Sequence, residues 1–373
     1  MSGIGENPAE RLQGSKLAND WVVGNKLATG QRSGNDATGG FFSVSYEAIN
    51  GKKRAFLKAF DIIQPIKLAI ANNELFTTEL MQQLQAFEFE AHLHTLCASK
   101  KMKRIVRILD YGQTSVTPLP GEQISTVPYM IMELADGGDV RCYIQQSKNI
   151  DYAIKLTYLR DIASGLLQLH RAQIAHQDIK PSNVMIFNED GAKIGDLGRA
   201  SQQDIASRHD AFPIAGDRTY APPEQIYRYP LNEWFDRRER CDIYQFGSLA
   251  CFLFYGVTIN SLMIKYIPVK ARPLEWGGEN SSYEYEESLP HLLEAFNKAL
   301  IDIEPQLPTW LSHELIEIIR QCSTPDFRER GSKRTIKRNP PNLGIDRFVS
   351  DFDRLTHKAN IEMRKLSSTA SSK

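Results

Sequence analysis

The stretch His176-Gln177-Asp178-Ile179-Lys180-Pro181-Ser182-Asn183-Val184 constrains this chain more than any other. An imidazole, a carboxylate, an ammonium and an amide fall within eight residues, between an apolar run ending at Ile174 and one starting at Val184. A loop between two strands would aim His176, Asp178, Lys180 and Asn183 at one place. An ordinary polar turn is the plain alternative. It weakens as partners for these residues accumulate elsewhere in the chain.

The 373 residues suffice for one large or two modest domains. At 42% hydrophobic and 24% charged, the composition is that of an ordinary globular chain. Lys+Arg and Asp+Glu both number 45, so bulk charge makes no argument for nucleic acid or a membrane surface. Cys97, Cys142, Cys241, Cys251 and Cys322 are scattered and form no C-x-x-C pair. That argues for reduced thiols in a reducing compartment and against a zinc ribbon. The N-terminus lacks an apolar signal core, and the run Phe246 to Ile259 is short for a spanning helix. A cytoplasmic location is expected.

In chain order, residues 1 to about 18 read as a loose polar lead-in. Strands are predicted over Trp21–Leu27, Phe41–Ala48 and Arg54–Phe60, with Asn50-Gly51 as a hairpin turn. A helix follows from about Glu74 to Cys97, then strands over Ile105–Leu109 and Pro128–Leu134. Leu156, Leu159, Ala163 and Leu166 recur at helical spacing ahead of the 176–184 stretch. Residues 258–288 read as an extended loop and a partner surface. Helices follow at about 289–303 and 311–322, and Ile345, Phe348, Val349, Phe352 and Leu355 mark a last amphipathic one. Residues 357–373 are expected to be a disordered, Ser-rich tail. There are no internal repeats.

As chemistry, the central stretch suits phosphoryl transfer. Asp178 would take the proton of an attacking hydroxyl, Lys180 would stabilise the moving phosphate, and Asn183 would hold a metal. The stretch resembles the H-R-D-x-K-x-x-N catalytic loop of eukaryotic-like (Hanks-type) serine/threonine protein kinases, with Gln177 in place of arginine. Asp196-Leu197-Gly198 resembles the D-F-G motif, and Pro222-Pro223-Glu224 the A-P-E signature. Cys241-Asp242-Ile243-Tyr244-Gln245-Phe246-Gly247 resembles the start of that family's central helix.

The resemblance covers roughly residues 20 to 356 and implies an α+β, bilobal protein-kinase fold. A small lobe (about 19–133) would hold a five-stranded antiparallel sheet with one helix. A large lobe (about 134–356) would be mostly helical, with ATP in the cleft. Gly39, Gly40 and Val44 would belong to the phosphate-covering loop, which fits G-x-G-x-x-G-x-V only partly because Ala37 and Phe42 stand at two of its glycine positions. Lys58 matches the V-A-I-K lysine that holds the α- and β-phosphates. A lysine between Leu57 and Ala59 is costly in a buried strand unless it has an anionic partner. Its helix partner would be Glu90, with Glu88 as runner-up. Met132 stands at the gatekeeper position, and backbone groups of about Glu133 and Ala135 would bind the adenine edge. Asp139 would reach the ribose, cap the helix before Val140, or both. His176 would be architectural, and Asp242 would brace the catalytic-loop backbone. Asp196 with Asn183 would hold Mg2+. Glu224 would pair with Arg328 or Arg330.

The implied activity is transfer of the γ-phosphoryl group of ATP to protein hydroxyls. The D-x-K-P-x-N pattern points to the serine/threonine class. Two departures matter. Gln177 lacks the charge with which the usual arginine holds a phosphorylated activation segment (residues 196–224), so activity is expected not to depend strongly on phosphorylation there. Asp217 stands where the family's Ser/Thr class has a threonine; it could pair with Lys180 or repel Asp178. The alternatives are an ATP-binding pseudokinase scaffold, a small-molecule phosphotransferase, and a structural protein without nucleotide.

Overall fold

Alternation with period two builds the first sheet. The structure is a computed structural model that describes residues 6–27, 43–120, 122, 124–146, 151–278 and 284–370. Strands β1 (Val22–Lys26), β2 (Ser43–Asn50) and β3 (Lys53–Phe60) are followed by helices α1 (Ile63–Ala71) and α2 (Phe76–Ser99), then β4 (Ile108–Ser115) and β5 (Thr126–Glu133). The strand order is β1-β2-β3-β5-β4, antiparallel throughout. The β2–β3 turn is Gly51-Lys52, because Asn50 already pairs with Lys53. Gly51 has φ +57°, as the first central residue of a type II′ hairpin turn requires.

One face of this sheet is apolar. Val44, Tyr46 and Ala48 on β2, Ala55, Leu57 and Ala59 on β3, and Val127, Tyr129 and Ile131 on β5 form a single buried cluster. The lead-in covers it, which corrects the expectation of a loose terminus over its described part. Ala9 and Leu12 are fully buried in the cluster, and the Tyr46 hydroxyl donates to the Ala9 carbonyl at 2.7 Å. The cause is hydrophobic: without residues 8–12 this face would meet water. A second correction is α1, where one helix was expected. Asp61 caps it by accepting from the Ile63 and Gln64 amides, and Ile63, Ile66 and Ala69 are its buried stripe.

The chain divides into two compact units, Met1–Asp136 with Asp196–Gly198, and Gly137–Gly195 with Arg199–Lys373. The second unit contains α3 (Val140–Gln146), α4 (Tyr152–Arg171), the short strands β6 (Ile174–Ala175), β7 (Val184–Phe187), β8 (Gly191–Ile194) and β9 (Ser201–Gln202), and α5 (Pro223–Ile226). Then come α6 (Arg240–Tyr255), α7 (Ile259–Ile264), α8 (Tyr285–Ile303), α9 (Thr309–Ser323) and α10 (Ile345–Ala370). Its central helix is α6, buried on nearly all sides from Arg240 to Leu253. A side chain at Gly247 would stand 2.1 Å from the Ser323 hydroxyl, so glycine lets α6 and α9 approach closely.

Helix α10 lies along α4. Its stripe, Ile345, Phe348, Phe352 and Leu355, continues to the fully buried Ala359. The helix runs on to Ala370, so the tail expected to be disordered from 357 is helical up to there. Residues 258–288 are also more structured than an extended loop where they are described. Ile259, Met263, Ile267, Ala271 and Trp276 are buried, and the Tyr227 hydroxyl donates to the Ala271 carbonyl. Among the described residues, no helix is long and apolar enough to cross a membrane.

Candidate active site

In the first unit the functional residues meet around Lys58. It sits on β3 between Leu57 and Ala59, whose side chains enter the apolar cluster, so alternation sends Lys58 to the opposite face. There its Nζ lies 2.8 Å from Glu90 Oε1 on α2 and 3.1 Å from Asp196 Oδ1. Glu90 is buried and Glu88 exposed, which decides between the two. Burial alone would push the Lys58 ammonium towards losing its proton, but the Asp196 and Glu90 charges outweigh it and hold its pKa above the usual lysine value. Asp196 has φ +55°, a left-handed turn that is uncommon outside glycine.

Val44 does not join this group. It pairs with Ala59 and is buried in the core face, whereas Ser45 pairs with Lys58. The anchoring of the glycine pattern on Val44 is therefore one residue out, and in a strand one residue is a change of face. Gly39 and Gly40 lie outside the described residues. Met132 is buried near the end of β5. The Glu133 amide donates to the Arg107 carbonyl at 3.0 Å, and the Glu133 carboxylate accepts from the Arg107 amide. Ala135 is half-buried.

In the second unit a loop between β6 and β7 carries the 176–184 stretch. Asp178, Lys180 and Asn183 are each at most 3% exposed. Asp178 Oδ2 accepts from Asn183 Nδ2 at 2.9 Å and pairs with Lys180 Nζ at 2.9 Å. Its Oδ1 accepts from the Asp217 amide at 2.8 Å. The Asp217 carboxylate lies 3.6 Å from Lys180 Nζ and accepts from the Thr219 amide. Of the two expectations the first is met, since the Asp217 side chain faces Lys180; towards Asp178 it is the residue 217 backbone amide that approaches, as a donor. Gly216 permits the approach, since a Cβ there would stand 2.2 Å from the Gln177 carbonyl.

Helix α6 anchors this loop. The His176 and Gln177 amides donate to Asp242, each at 2.7 Å, as the resemblance implied. His170 Nε2 reaches the same carboxylate at 2.8 Å. Gln245, three residues after Asp242, accepts from the Ile179 amide and donates to the Gln177 carbonyl. Sequence reasoning missed Gln245; its only signal was its place one turn along the same helix face. His176 Nδ1 accepts from the Asp178 amide, so Nε2 carries the proton donated to the Gly195 carbonyl at 2.9 Å. Both ring nitrogens are thus engaged in shaping the loop.

Two further assignments fall in this unit. Arg330, not Arg328, holds Glu224, through two bonds of 2.7 and 3.0 Å with both residues buried. Arg328 instead holds Asp326 and Glu286 at the surface. Asp139 caps α3, its Oδ1 accepting from the Cys142 amide at 2.8 Å.

The first unit thus holds a paired lysine, and the second a three-donor carboxylate, a braced loop and a buried Glu–Arg pair. The chain matches the family described as protein kinase domain over residues 77–340, more than half its length, and it belongs to that family. The match begins in α2, so β1–β3 and Lys58 lie outside it. The chain is 30% identical to serine/threonine-protein kinase atg1 of Dictyostelium discoideum over 173 residues, 46% of this chain and 23% of that protein. It is 31% identical to serine/threonine-protein kinase PknL of Mycobacterium tuberculosis over 132 residues, 35% of this chain and 31% of that protein. A probable serine/threonine-protein kinase of Corynebacterium efficiens is 29% identical over 156 residues, 41% of this chain and 21% of that protein. The chain thus spans less than a third of each of these relatives.

Proposed function

We propose that this chain is a serine/threonine protein kinase that moves the γ-phosphoryl group of ATP to hydroxyls of protein substrates, with Asp178 as the base. The observation that carries the reading is the Asp178 carboxylate. Lys180, Asn183 and the Asp217 amide all donate to it or pair with it, which fixes the direction of both its oxygens. An oriented carboxylate is what proton removal from an incoming hydroxyl needs. Lys180, beside it, would balance charge on the moving phosphate, and Lys58 would hold the α- and β-phosphates. Glu90 orients the Lys58 ammonium. Glu133 and Ala135 would supply the adenine contacts and Asp139 a ribose contact.

The donor chemistry fits Mg2+. Asp196 offers a carboxylate, and Asn183, with its Nδ2 committed to Asp178, offers an amide oxygen. Magnesium takes hard oxygen donors, commonly one or two protein groups plus phosphate oxygens. Held by such donors, it would neutralise phosphate charge. Five free thiols support a reducing, cytoplasmic setting.

A labelled-ATP assay with magnesium, comparing the chain with Asp178→Ala on a generic protein substrate, tests the reading. Label on serine or threonine in the unaltered chain alone supports it. One observation favours a second reading, a nucleotide-binding scaffold: Asp217 adds a carboxylate near Lys180. Thermal stabilisation by ATP and magnesium, without transfer to any acceptor, would select that alternative.

A further inference from the structure

Gln177 precedes the proposed base and has φ +67°. Its side chain is engaged at both ends by one residue. Gln177 Nε2 donates to the Arg238 carbonyl at 2.9 Å, and Arg238 Nη1 donates to Gln177 Oε1 at 3.0 Å. Arg238, just before α6, is 2% exposed. Its Nη2 pairs at 2.7 Å with Asp210 Oδ1, which lies within the activation segment. Asp210 is the hub of that stretch. Its carboxylate accepts from the Ser207 amide at 2.7 Å and from the Ser201 hydroxyl at 3.1 Å. Its carbonyl accepts from Arg238 and Arg237. Ser201 in turn accepts from the Trp234 indole at 3.3 Å.

A phosphate added to an activation segment acts by offering negative charge and acceptor oxygens to a guanidinium. Here the guanidinium comes from residue 238, and the acceptor is genetically encoded at residue 210. We propose that the Asp210 carboxylate, through Arg238 and Gln177, holds the activation segment in its transfer-competent arrangement, so that the chain is active without phosphorylation. The inference rests on the kinase reading. Asp210 and Arg238 act as positioning residues; neither touches Asp178. Arg238 supports this in its own right. Burial and the neighbouring Arg237 weaken its hold on its proton, and Asp210 opposes them, so a lost Asp210 leaves a desolvated cation poorly matched.

The test uses the full chain, freed of phosphoserine and phosphothreonine by a phosphatase and checked by mass. We expect dephosphorylated protein to keep its rate within about twofold, because the pair needs no added group. Asp210→Asn, which keeps shape and removes charge, should lower kcat by about tenfold or more with little change in the KM for ATP, and Asp210→Glu should restore most of it. Hydrogen exchange in residues 201–212 should quicken in Asp210→Asn and return to normal in Asp210→Glu. If Asp210→Asn unfolds, the double variant Asp210→Leu, Arg238→Met removes both charges together and should also be slow. Transfer before phosphatase treatment and its loss afterwards overturns the inference alone, as does a charge-free variant at full rate. No transfer in either state overturns the kinase reading and this inference with it.

Discussion

Two lysines each stand between two carboxylates. Lys58 has Glu90 at 2.8 Å and Asp196 at 3.1 Å; Lys180 has Asp178 at 2.9 Å and Asp217 at 3.6 Å. The likeness ends there. Lys58, Glu90 and Asp196 come from a strand, a helix and a turn far apart in sequence, and Asp196 remains 25% exposed. In the second cluster Lys180 is 2% and Asp178 3% exposed, and the loop backbone is held at residues 176, 177 and 179 by two side chains of one buried helix. The first cluster depends on how α2 packs, so movement of one helix can dissolve it. The second is part of the scaffold. One lysine cluster can thus be taken apart by moving a helix, whereas the other is built into the frame of its own unit.

The largest effect that would break this contrast is at the proposed base, Asp178. Asp178→Asn should lower kcat by about 10²–10⁴-fold with nearly unchanged KM for ATP. A variant at full rate would remove Asp178 from its role. Next comes a buried pair that touches neither lysine. Arg330→Leu leaves Glu224 without its partner and should cost about 3–5 kcal/mol, read by urea denaturation. Lys58→Met should reduce transfer by about 10²–10³-fold and shrink the thermal shift with ATP and magnesium. Unlike Asp178→Asn it should also quicken exchange at the C-terminal half of α2, since Glu90 loses its cation.

A smaller effect is pH-dependent. His170 is buried, which disfavours its charged form, but the Asp242 hydrogen bond and the Asp242 and Glu239 charges win and raise its pKa above 6.5. A raised folded-state pKa means that its stabilisation is complete below about 6.5 and is lost as pH rises through the folded value. Urea midpoints of the unaltered chain should therefore fall across neutral pH relative to His170→Gln. The smallest effect is expected for Asp217→Thr. The bond to Asp178 comes from the residue 217 backbone amide, so any side chain keeps it, and the rate should change by less than about tenfold. A larger loss would mean that the carboxylate itself positions Lys180.

Some of this was legible in the chain. The four groups of the 176–184 stretch, Lys58, Asp196 and Asp242 were readable because each sits in a short local pattern. Their strands and helices were readable because apolar residues recur with period 2 or 3.6. The buried lead-in was less so: Ala9 and Leu12 are too few to signal on their own, and only an open apolar sheet face makes them a core. Val44 was misplaced because a strand's facing depends on register, and register is settled by pairing.

By itself, then, the sequence carried the 176–184 motif, the family it belongs to and the order of its elements, since those follow from residue types at fixed spacings. Sequence preferred Glu90 to Glu88 and burial agrees, whereas tertiary structure alone decided Arg330 over Arg328. In both pairs the candidates have equal chemistry two residues apart, and burial separates them. It alone also joined Asp210 to Arg238, 28 residues away, and both to Gln177. No local pattern encodes such a pair; it arises because folding desolvates a guanidinium, and a buried cation needs an anion within reach.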